Sequence, residues 1–124
     1  MFNHHDAMAT VAVKDVKAAR QFYEATLGLT VADESMGAIT YQSGKARLIL
    51  YESQFAGTNQ ATTVTWRVGD EIEAIVKSLG GKGVKFEHYD FPDVKRQGDI
   101  HLAGNLRMAW FRDPAGNILA LVSG

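Results

Sequence analysis

The sequence predicts an α+β fold in which two tandem β-α-β-β-β units form curled mixed sheets around a pocket, with the helices outside. Three observations support this prediction. A junction between a strand and a helix follows Val13 and recurs after Val68, which indicates an internal duplication. Glycine ends each predicted helix, at Gly28 and at Gly80. Elsewhere apolar and polar residues alternate with period two, as they do in half-buried strands.

The first unit is predicted to contain one helix and four strands. Asp15 is a suitable N-cap for a helix whose apolar residues recur every three or four positions, and Gly28 supplies its left-handed end. Ser43, Gly44 and Lys45 form a hairpin turn between two later strands. The predicted elements are, in order, a strand over 7–13, a helix over 16–27 and strands over 29–32, 37–42 and 46–52.

The second unit repeats this order. Asp70 is predicted to cap its helix, with Glu73 at the capping-box position, and glycines at 80, 81 and 83 end that helix. The Asp-Pro-Ala-Gly run at 113–116 predicts a turn, since proline cannot donate to a strand ladder and glycine tolerates positive φ. The predicted strands of this unit cover 62–68, 84–89, 107–112 and 117–122.

The two units differ mainly in the segment 90–105, which is polar and contains Gly98 and Gly104. Irregular insertions of this length are usually lids, binding loops or disordered surface. We predict a lid over the pocket, with the two glycines as hinges. We expect one domain over residues 1–124, with unit one over about 6–52, a linker over 53–61 and unit two over about 62–124.

Composition excludes several classes of protein. The 124 residues carry a formal net charge of -1, and no basic run exceeds Lys95 and Arg96, so we expect no nucleic-acid partner. No apolar stretch approaches the roughly 20 residues that span a bilayer. The N-terminus lacks a secretory signal, so we expect a cytoplasmic protein without membrane contact. The absence of cysteine excludes disulfides, thiolate metal sites and a cysteine nucleophile.

The alternation of side chains along the strands predicts a ligand pocket. Successive side chains of a strand point to opposite faces of its sheet, so those that do not face the helix share the other face. If the two sheets curl together, these opposite faces line a shared concavity that is apolar, partly aromatic and typical of small-molecule sites. The alternative is a second core, for which Arg47, Thr63 and Thr65 are poor choices. The predicted ligand-binding residues are Met8, Thr10, Arg47, Ile49, Tyr51, Thr63, Thr65, His101, Met108 and Trp110. Trp110 and Tyr51 are the first choices for aromatic anchors.

Two motifs carry a family resemblance that covers nearly the whole chain. They are Val13-x-Asp15-Val16-x-x-Ala19-x-x-Phe22-Tyr23 followed by Leu27-Gly28-Leu29, and Trp110-Phe111-Arg112-Asp113-Pro114-x-Gly116-Asn117-Ile118-Leu119. The sequence resembles the vicinal-oxygen-chelate superfamily, which includes glyoxalase I, extradiol dioxygenases and bleomycin-resistance proteins. It is similar within that group to a branch of uncharacterised glyoxalase-like proteins. The resemblance implies the duplicated fold described above and a homodimer.

The resemblance also implies where a metal would bind. Enzymes of the superfamily hold a divalent metal with four His or Glu side chains, two per unit. The matching positions here are Met8, Ile49, Thr63 and Ala120. None of them is a His or a carboxylate, whereas zinc or a similar ion needs three or four N, O or S donors. We therefore expect no metal and no other cofactor.

The sequence therefore predicts a metal-free protein that binds or sequesters a small organic, partly aromatic molecule, as the resemblance to bleomycin-resistance proteins implies. One alternative is a lyase or isomerase with a rearranged site that uses Glu52, His88, His101 or a hydroxyl. Another is a regulatory module with a vestigial pocket. No Gly-x-Ser-x-Gly motif occurs, and no catalytic residue is assigned. The questions left open are the ligand, whether a reaction occurs, whether the pocket lies within one chain or across a dimer, and whether His4, His5, His88 or His101 binds a metal.

Overall fold

The computed structural model describes all 124 residues. The first half contains β1 (Ala9–Val13), α1 (Val16–Arg20), which continues as a π-helix (Gln21–Thr26), β2 (Thr30–Ser35), β3 (Ala38–Ser43) and β4 (Ala46–Glu52). The second half contains β5 (Thr62–Arg67), a short 3-10 helix (Gly69–Glu71), α2 (Ile72–Gly81), β6 (Phe86–Glu87), β7 (Lys95–Gln97), β8 (Ile100–Ala103), β9 (Leu106–Arg112) and β10 (Ile118–Val122). Neither α-helix has the length and apolar character needed to cross a membrane.

The strands form two sheets with the same internal order. Sheet A has the order β1-β4-β3-β2, and sheet B has the order β5-β10-β9-β8-β7, with β6 beside β9. In each sheet the first strand of the unit runs parallel to the last, and the other neighbours are antiparallel. A parallel pair needs a crossover connection, which α1 and α2 supply. The predicted α+β fold with two duplicated, curled sheets is confirmed.

The first helix begins where the sequence predicts. The Asp15 Oδ1 atom accepts a hydrogen bond from the Lys17 amide at 3.0 Å, which satisfies one of the free N–H groups of the first turn. The helix widens into a π-helix, and the Leu27 amide donates to the Phe22 carbonyl at 2.9 Å, five residues earlier. The predicted N-cap at Asp15 is therefore confirmed.

The predicted cap of the second helix is wrong. Asp70 lies in the 3-10 turn before α2, and no side chain caps the helix. The Asp70 carboxylate instead accepts from the Arg107 guanidinium at 2.9 Å, and Glu73 accepts from the same group at 2.6 Å. The guanidinium and the first amides of the helix compete for the Asp70 carboxylate. The guanidinium prevails because charge-assisted hydrogen bonds are the stronger ones.

The segment 90–105 is not the irregular lid that the sequence predicts. Its second half forms a hairpin in which β7 pairs with β8, and β8 extends sheet B by pairing with β9. Gly98 lies at the turn of this hairpin with φ 63° and Gly104 at the next turn with φ 59°, so both glycines serve tight turns instead of hinges. The predicted strand over 84–89 is shorter and spans only Phe86–Glu87.

A continuous hydrophobic core of 18 buried residues draws side chains from both halves of the chain. The contacts that join the two sheets lie on their helix-covered side. Tyr23 donates to the Asp113 carboxylate at 2.7 Å, and the Phe22 and Phe111 rings lie 6.3 Å apart. The Asn117 amide also donates to the Ala12 carbonyl at 2.7 Å. These contacts set the position of sheet A relative to sheet B.

Candidate functional site

Each sheet has a second face that its helix does not cover, which we call the open face. On sheet A, Thr10 pairs with Ile49 and Ala12 pairs with Tyr51 across β1 and β4. Met8 is 49% exposed and Tyr51 is 42% exposed, while Arg47 donates to the neighbouring Gln42 side chain at 3.0 Å. The five predicted site residues of unit one therefore share one accessible face.

The predicted residues of unit two lie on or beside the open face of sheet B. Trp110 pairs with Ala120, which in turn pairs with Thr65 on β5. Met108 pairs with His101 on the other side of β9. Thr63 lies beside a register shift in the pairing of β5 with β10. No hydrogen bond and no aromatic contact joins these residues to the open face of sheet A.

Trp110 lies at the centre of an aromatic cluster. Its ring centroid is 5.4 Å from that of Tyr89, 5.7 Å from Phe91 and 4.9 Å from His101. The contacts with Tyr89 and His101 are edge-to-face, which is a favoured geometry for aromatic pairs. The indole nitrogen donates to the Thr62 hydroxyl at 3.2 Å, which sets the orientation of the ring.

An open cavity of about 370 Å³ adjoins this cluster, and we call it the Trp110 cavity. Its volume falls within the range of small-molecule sites. Its walls combine aromatic and aliphatic groups with one amide and two hydroxyl-bearing residues, a threonine and a tyrosine. The lining residues are Gln60, Ala61, Thr62, Tyr89, Phe91, Trp110 and Ile118. Of the ten predicted ligand-binding residues, only Trp110 belongs to this wall.

His101 supports the cluster from beneath. The sequence predicts it among the ligand contacts, whereas the structure leaves none of it exposed. The Tyr89 amide donates to His101 Nε2 at 3.0 Å, which places the ring hydrogen on Nδ1. Burial lowers the pKa of His101, so the imidazole is neutral at pH 7. The correction follows from Tyr89, Phe91 and Trp110, whose rings cover the imidazole.

Two polar atoms of the cluster are buried without a hydrogen-bond partner: His101 Nδ1 and the Tyr89 hydroxyl oxygen. Burial raises the pKa of Tyr89, and the nearby Glu87 carboxylate adds to this effect, so the hydroxyl keeps its proton. Unsatisfied buried polar groups are few in native proteins and are costly. Their presence beside the cavity distinguishes this region from an ordinary core.

We expect His101 to make the protein less stable in acid. The pKa of His101 in the folded chain lies below its ordinary value of about 6.5, so the unfolded chain binds the proton first as the pH falls. The free energy of unfolding therefore decreases from about pH 7 down to the folded pKa and then levels. Urea unfolding at about pH 7.5 and 5.5 measures this decrease.

The matched variants are His101→Gln, which removes the titrating ring, and His5→Gln, which removes an exposed one. His101→Gln should lose less stability than the wild type between the two pH values, because it has no ring to protonate on unfolding. His5→Gln should lose as much as the wild type. An equal loss in all three proteins would contradict the assignment of acid sensitivity to His101.

The comparisons with known proteins identify the family. The family model described as the Glyoxalase/Bleomycin resistance protein/Dioxygenase superfamily matches residues 4–121. The chain belongs to this superfamily. The sequence-based resemblance to the glyoxalase and bleomycin-resistance group is thereby confirmed. Comparison with curated protein sequences gives no match.

Several solved structures share the fold at low sequence identity. An integron cassette protein from the mobile metagenome of the Halifax Harbour sewage outfall is 22% identical, with a TM-score of 0.72 over 96% of this chain and 97% of its own. The fosfomycin resistance protein FosX from Mesorhizobium loti is 13% identical, with a TM-score of 0.71 over 100% and 94%. A lactoylglutathione lyase from Agrobacterium tumefaciens is 18% identical, with a TM-score of 0.69 over 93% and 90%.

The residues at the superfamily's metal positions do not fit a divalent metal. Ile49 lies opposite Thr10 on the open face of sheet A, and Ala120 lies opposite Thr65 on sheet B. Aliphatic side chains have no lone pair, and the other two positions hold Met8 and Thr63, a thioether and a hydroxyl. Nowhere in the structure do three His, Asp or Glu side chains group in a way that could hold a metal ion.

Sequence reasoning missed most of the cavity wall. Tyr89 and Phe91 are two residues apart, and side chains at that spacing point the same way in an extended segment. This spacing was a usable signal, but both residues fall at or beyond the end of a predicted strand. Gln60 and Ala61 belong to the predicted linker, where no periodicity indicates which side chains turn inward.

Proposed function

We propose that this superfamily member binds a small, partly aromatic organic molecule in the Trp110 cavity and holds it without a metal. The observation that carries the proposal is the group of three rings, Tyr89, Phe91 and Trp110, around one open cavity of about 370 Å³. Aromatic faces bind flat apolar ligands by burying large areas at little conformational cost. The Thr62 hydroxyl and the Gln60 amide supply polar contacts that orient such a ligand.

Binding is better supported than the alternative, a lyase or isomerase reaction. Three residues that such a reaction could use do not line the cavity, although the Thr62 hydroxyl does. His101 is fully buried, His88 lies 2.7 Å from the Asp99 carboxylate, and Glu52 is at the end of β4 on sheet A. If a bound molecule is converted, mass spectrometry of the mixture after incubation will detect a product and decide for the enzyme.

Trp110→Ala should weaken the ligand by about tenfold or more, because loss of a well-buried aromatic anchor often costs about 2 kcal/mol. The ligand would first be found by screening aromatic acids, phenols and heterocycles for an increase in melting temperature. Isothermal titration of the best compound then compares wild type and variants.

Tyr51→Ala is the control for Trp110→Ala, since Tyr51 is an aromatic residue on the other sheet and does not line the cavity. It should change the affinity by less than about twofold if the cavity of one chain is sufficient. A loss with Tyr51→Ala as well would show that a second copy places its sheet A over the cavity. Normal binding by Trp110→Ala would refute the proposed site.

We also propose that the chain forms a homodimer through the open face of sheet A. Met8, Ile49 and Tyr51 leave apolar surface accessible on this face, and such surface is commonly buried in an isologous contact. Light scattering at micromolar concentration should give twice the mass of one chain, and Tyr51→Asp should give the monomer mass. A monomeric wild type would contradict the proposal.

A further inference from the structure

A second cavity lies between the two sheets on their helix-covered side, away from the Trp110 cavity. It measures about 230 Å³, and eight of its nine lining residues are hydrophobic. Unit one contributes Leu27 and Ser43 to its wall, and unit two contributes Trp66, Ile75 and Leu121. We call it the inter-sheet cavity. No residue lines both cavities.

The inter-sheet cavity exists because the side chains of the two units do not fill the space between the sheets. Ile72 of α2 is buried, while the buried Leu79 and the half-buried Ile75 border the cavity. On the other side the indole nitrogen of Trp66 donates to the Ser43 hydroxyl at 2.9 Å, across the gap between the sheets. This hydrogen bond holds the Trp66 ring as one wall of the cavity. Ligand sites occur preferentially at such junctions between structural units.

The chemistry of the wall defines what could bind. An apolar cavity of about 150 Å³ takes up benzene or xenon, so about 230 Å³ is enough for one ring with a small substituent, although this cavity is partly open to solvent. No charged side chain lines the cavity, which makes an anion or a phosphate-bearing cofactor an unfavourable occupant. The volume is also too small for a strand or helix of a partner protein.

Ser43 supplies the single polar contact. Its oxygen accepts from Trp66, and no protein group accepts the hydroxyl hydrogen. A hydroxyl can accept and donate at the same time, so this hydrogen is available to one acceptor atom of a ligand.

We propose that the inter-sheet cavity is a second ligand site, which takes one small apolar molecule, an aromatic ring or short alkyl group, with at most one hydrogen-bond acceptor placed at Ser43. This inference does not rest on the proposed function of the Trp110 cavity, because the two cavities share no residue. The site would take up a different class of molecule, which is smaller and less polar.

The two tryptophans of the chain allow each cavity to be followed separately. In Trp110→Phe the only tryptophan is Trp66, at the inter-sheet cavity. Iodobenzene is a suitable probe, since it is apolar, has one ring and quenches tryptophan fluorescence on contact. Its titration into Trp110→Phe should quench Trp66 along a saturable curve. The reciprocal variant Trp66→Phe reports binding at the Trp110 cavity in the same way.

Filling the cavity tests the location. Ile75→Phe in the Trp110→Phe background should weaken the saturable quenching by about tenfold or more, since the added ring occupies the space. Val94→Phe adds a ring at a half-buried aliphatic residue that lines neither cavity and should leave the quenching unchanged. Quenching that rises linearly without saturation in every variant would overturn the proposal. Saturable quenching that Ile75→Phe does not weaken would also overturn it.

A second measurement avoids dependence on the stability of Ile75→Phe. Crystals of the wild-type protein under xenon pressure should show a xenon atom between Trp66, Ile75 and Leu121. A xenon-derivatised crystal with no peak in this cavity would overturn the proposal even if the filling variant does not fold. Binding confined to the Trp110 cavity would overturn it while leaving the proposed function intact.

Discussion

Asp113→Ala is expected to lower the free energy of unfolding by about 3–5 kcal/mol. The carboxylate is 5% exposed and accepts four hydrogen bonds. Oδ1 accepts from the amides of Ala115 and Asn117 at 3.0 and 2.9 Å, and Oδ2 accepts from Tyr23 at 2.7 Å and from the Asn117 side chain at 2.9 Å. Alanine leaves four donors in a buried site without an acceptor, and each such group carries a desolvation penalty. Chemical denaturation at neutral pH measures the loss.

Tyr23→Phe is the matched control for Asp113→Ala. It removes one donor and leaves the other three bonds to the carboxylate intact, so it should cost only about 1–2 kcal/mol. Asp113→Asn should lie between the two, because its amide oxygen can still accept from the two backbone amides while its NH2 group cannot. If Asp113→Ala were no more harmful than Tyr23→Phe, the carboxylate would not be the centre of this turn.

The second large effect is expected at Gly57, in the connection between the two units. Gly57 has φ 72°, and a Cβ atom built on it would lie 1.9 Å from the Ala115 carbonyl oxygen. Any side chain must therefore push the connection away from the turn at 113–116. We expect Gly57→Ala to cost about 3–5 kcal/mol, of which about 1–2 is the left-handed backbone and the rest the displaced contact.

Gly28→Ala separates these two contributions. Gly28 has φ 76°, nearly the value of Gly57, but a Cβ atom there meets nothing within 4 Å. It should cost only the about 1–2 kcal/mol of the left-handed conformation. Thermal and urea unfolding of both variants measure the difference. Equal losses would mean that the connection moves away from Ala115 without cost.

The sequence predicted those features that depend on neighbouring residues. Asp15 caps α1 because its carboxylate reaches an amide two positions later. The turn at 113–116 closes with a hydrogen bond of 3.0 Å from the Gly116 amide to the Asp113 carbonyl. The duplicated sheets followed from the repeated order of strand and helix. In each case the interaction spans a few residues, so a short stretch of sequence contains the whole cause.

The errors arose where a distant residue competes with a local one. Asp70 does not cap α2 because Arg107, far along the chain, takes its carboxylate. His101 is covered by Tyr89, Phe91 and Trp110, which fold over it from other segments. A local pattern indicates that a side chain can cap a helix or point toward a ligand. It does not indicate which residues from other segments will contact that side chain instead.

By itself the sequence determined the duplicated α+β architecture and the face of each strand that a helix leaves open. These follow from residue type and period, which are local properties. Only the tertiary structure decided how sheets A and B lie relative to one another. The same packing placed one cavity beside Trp110 and another between the sheets. The physical reason is that the relative position of two sheets depends on contacts such as Tyr23 with Asp113 and Phe22 with Phe111, which join residues far apart in sequence and leave no periodic signal.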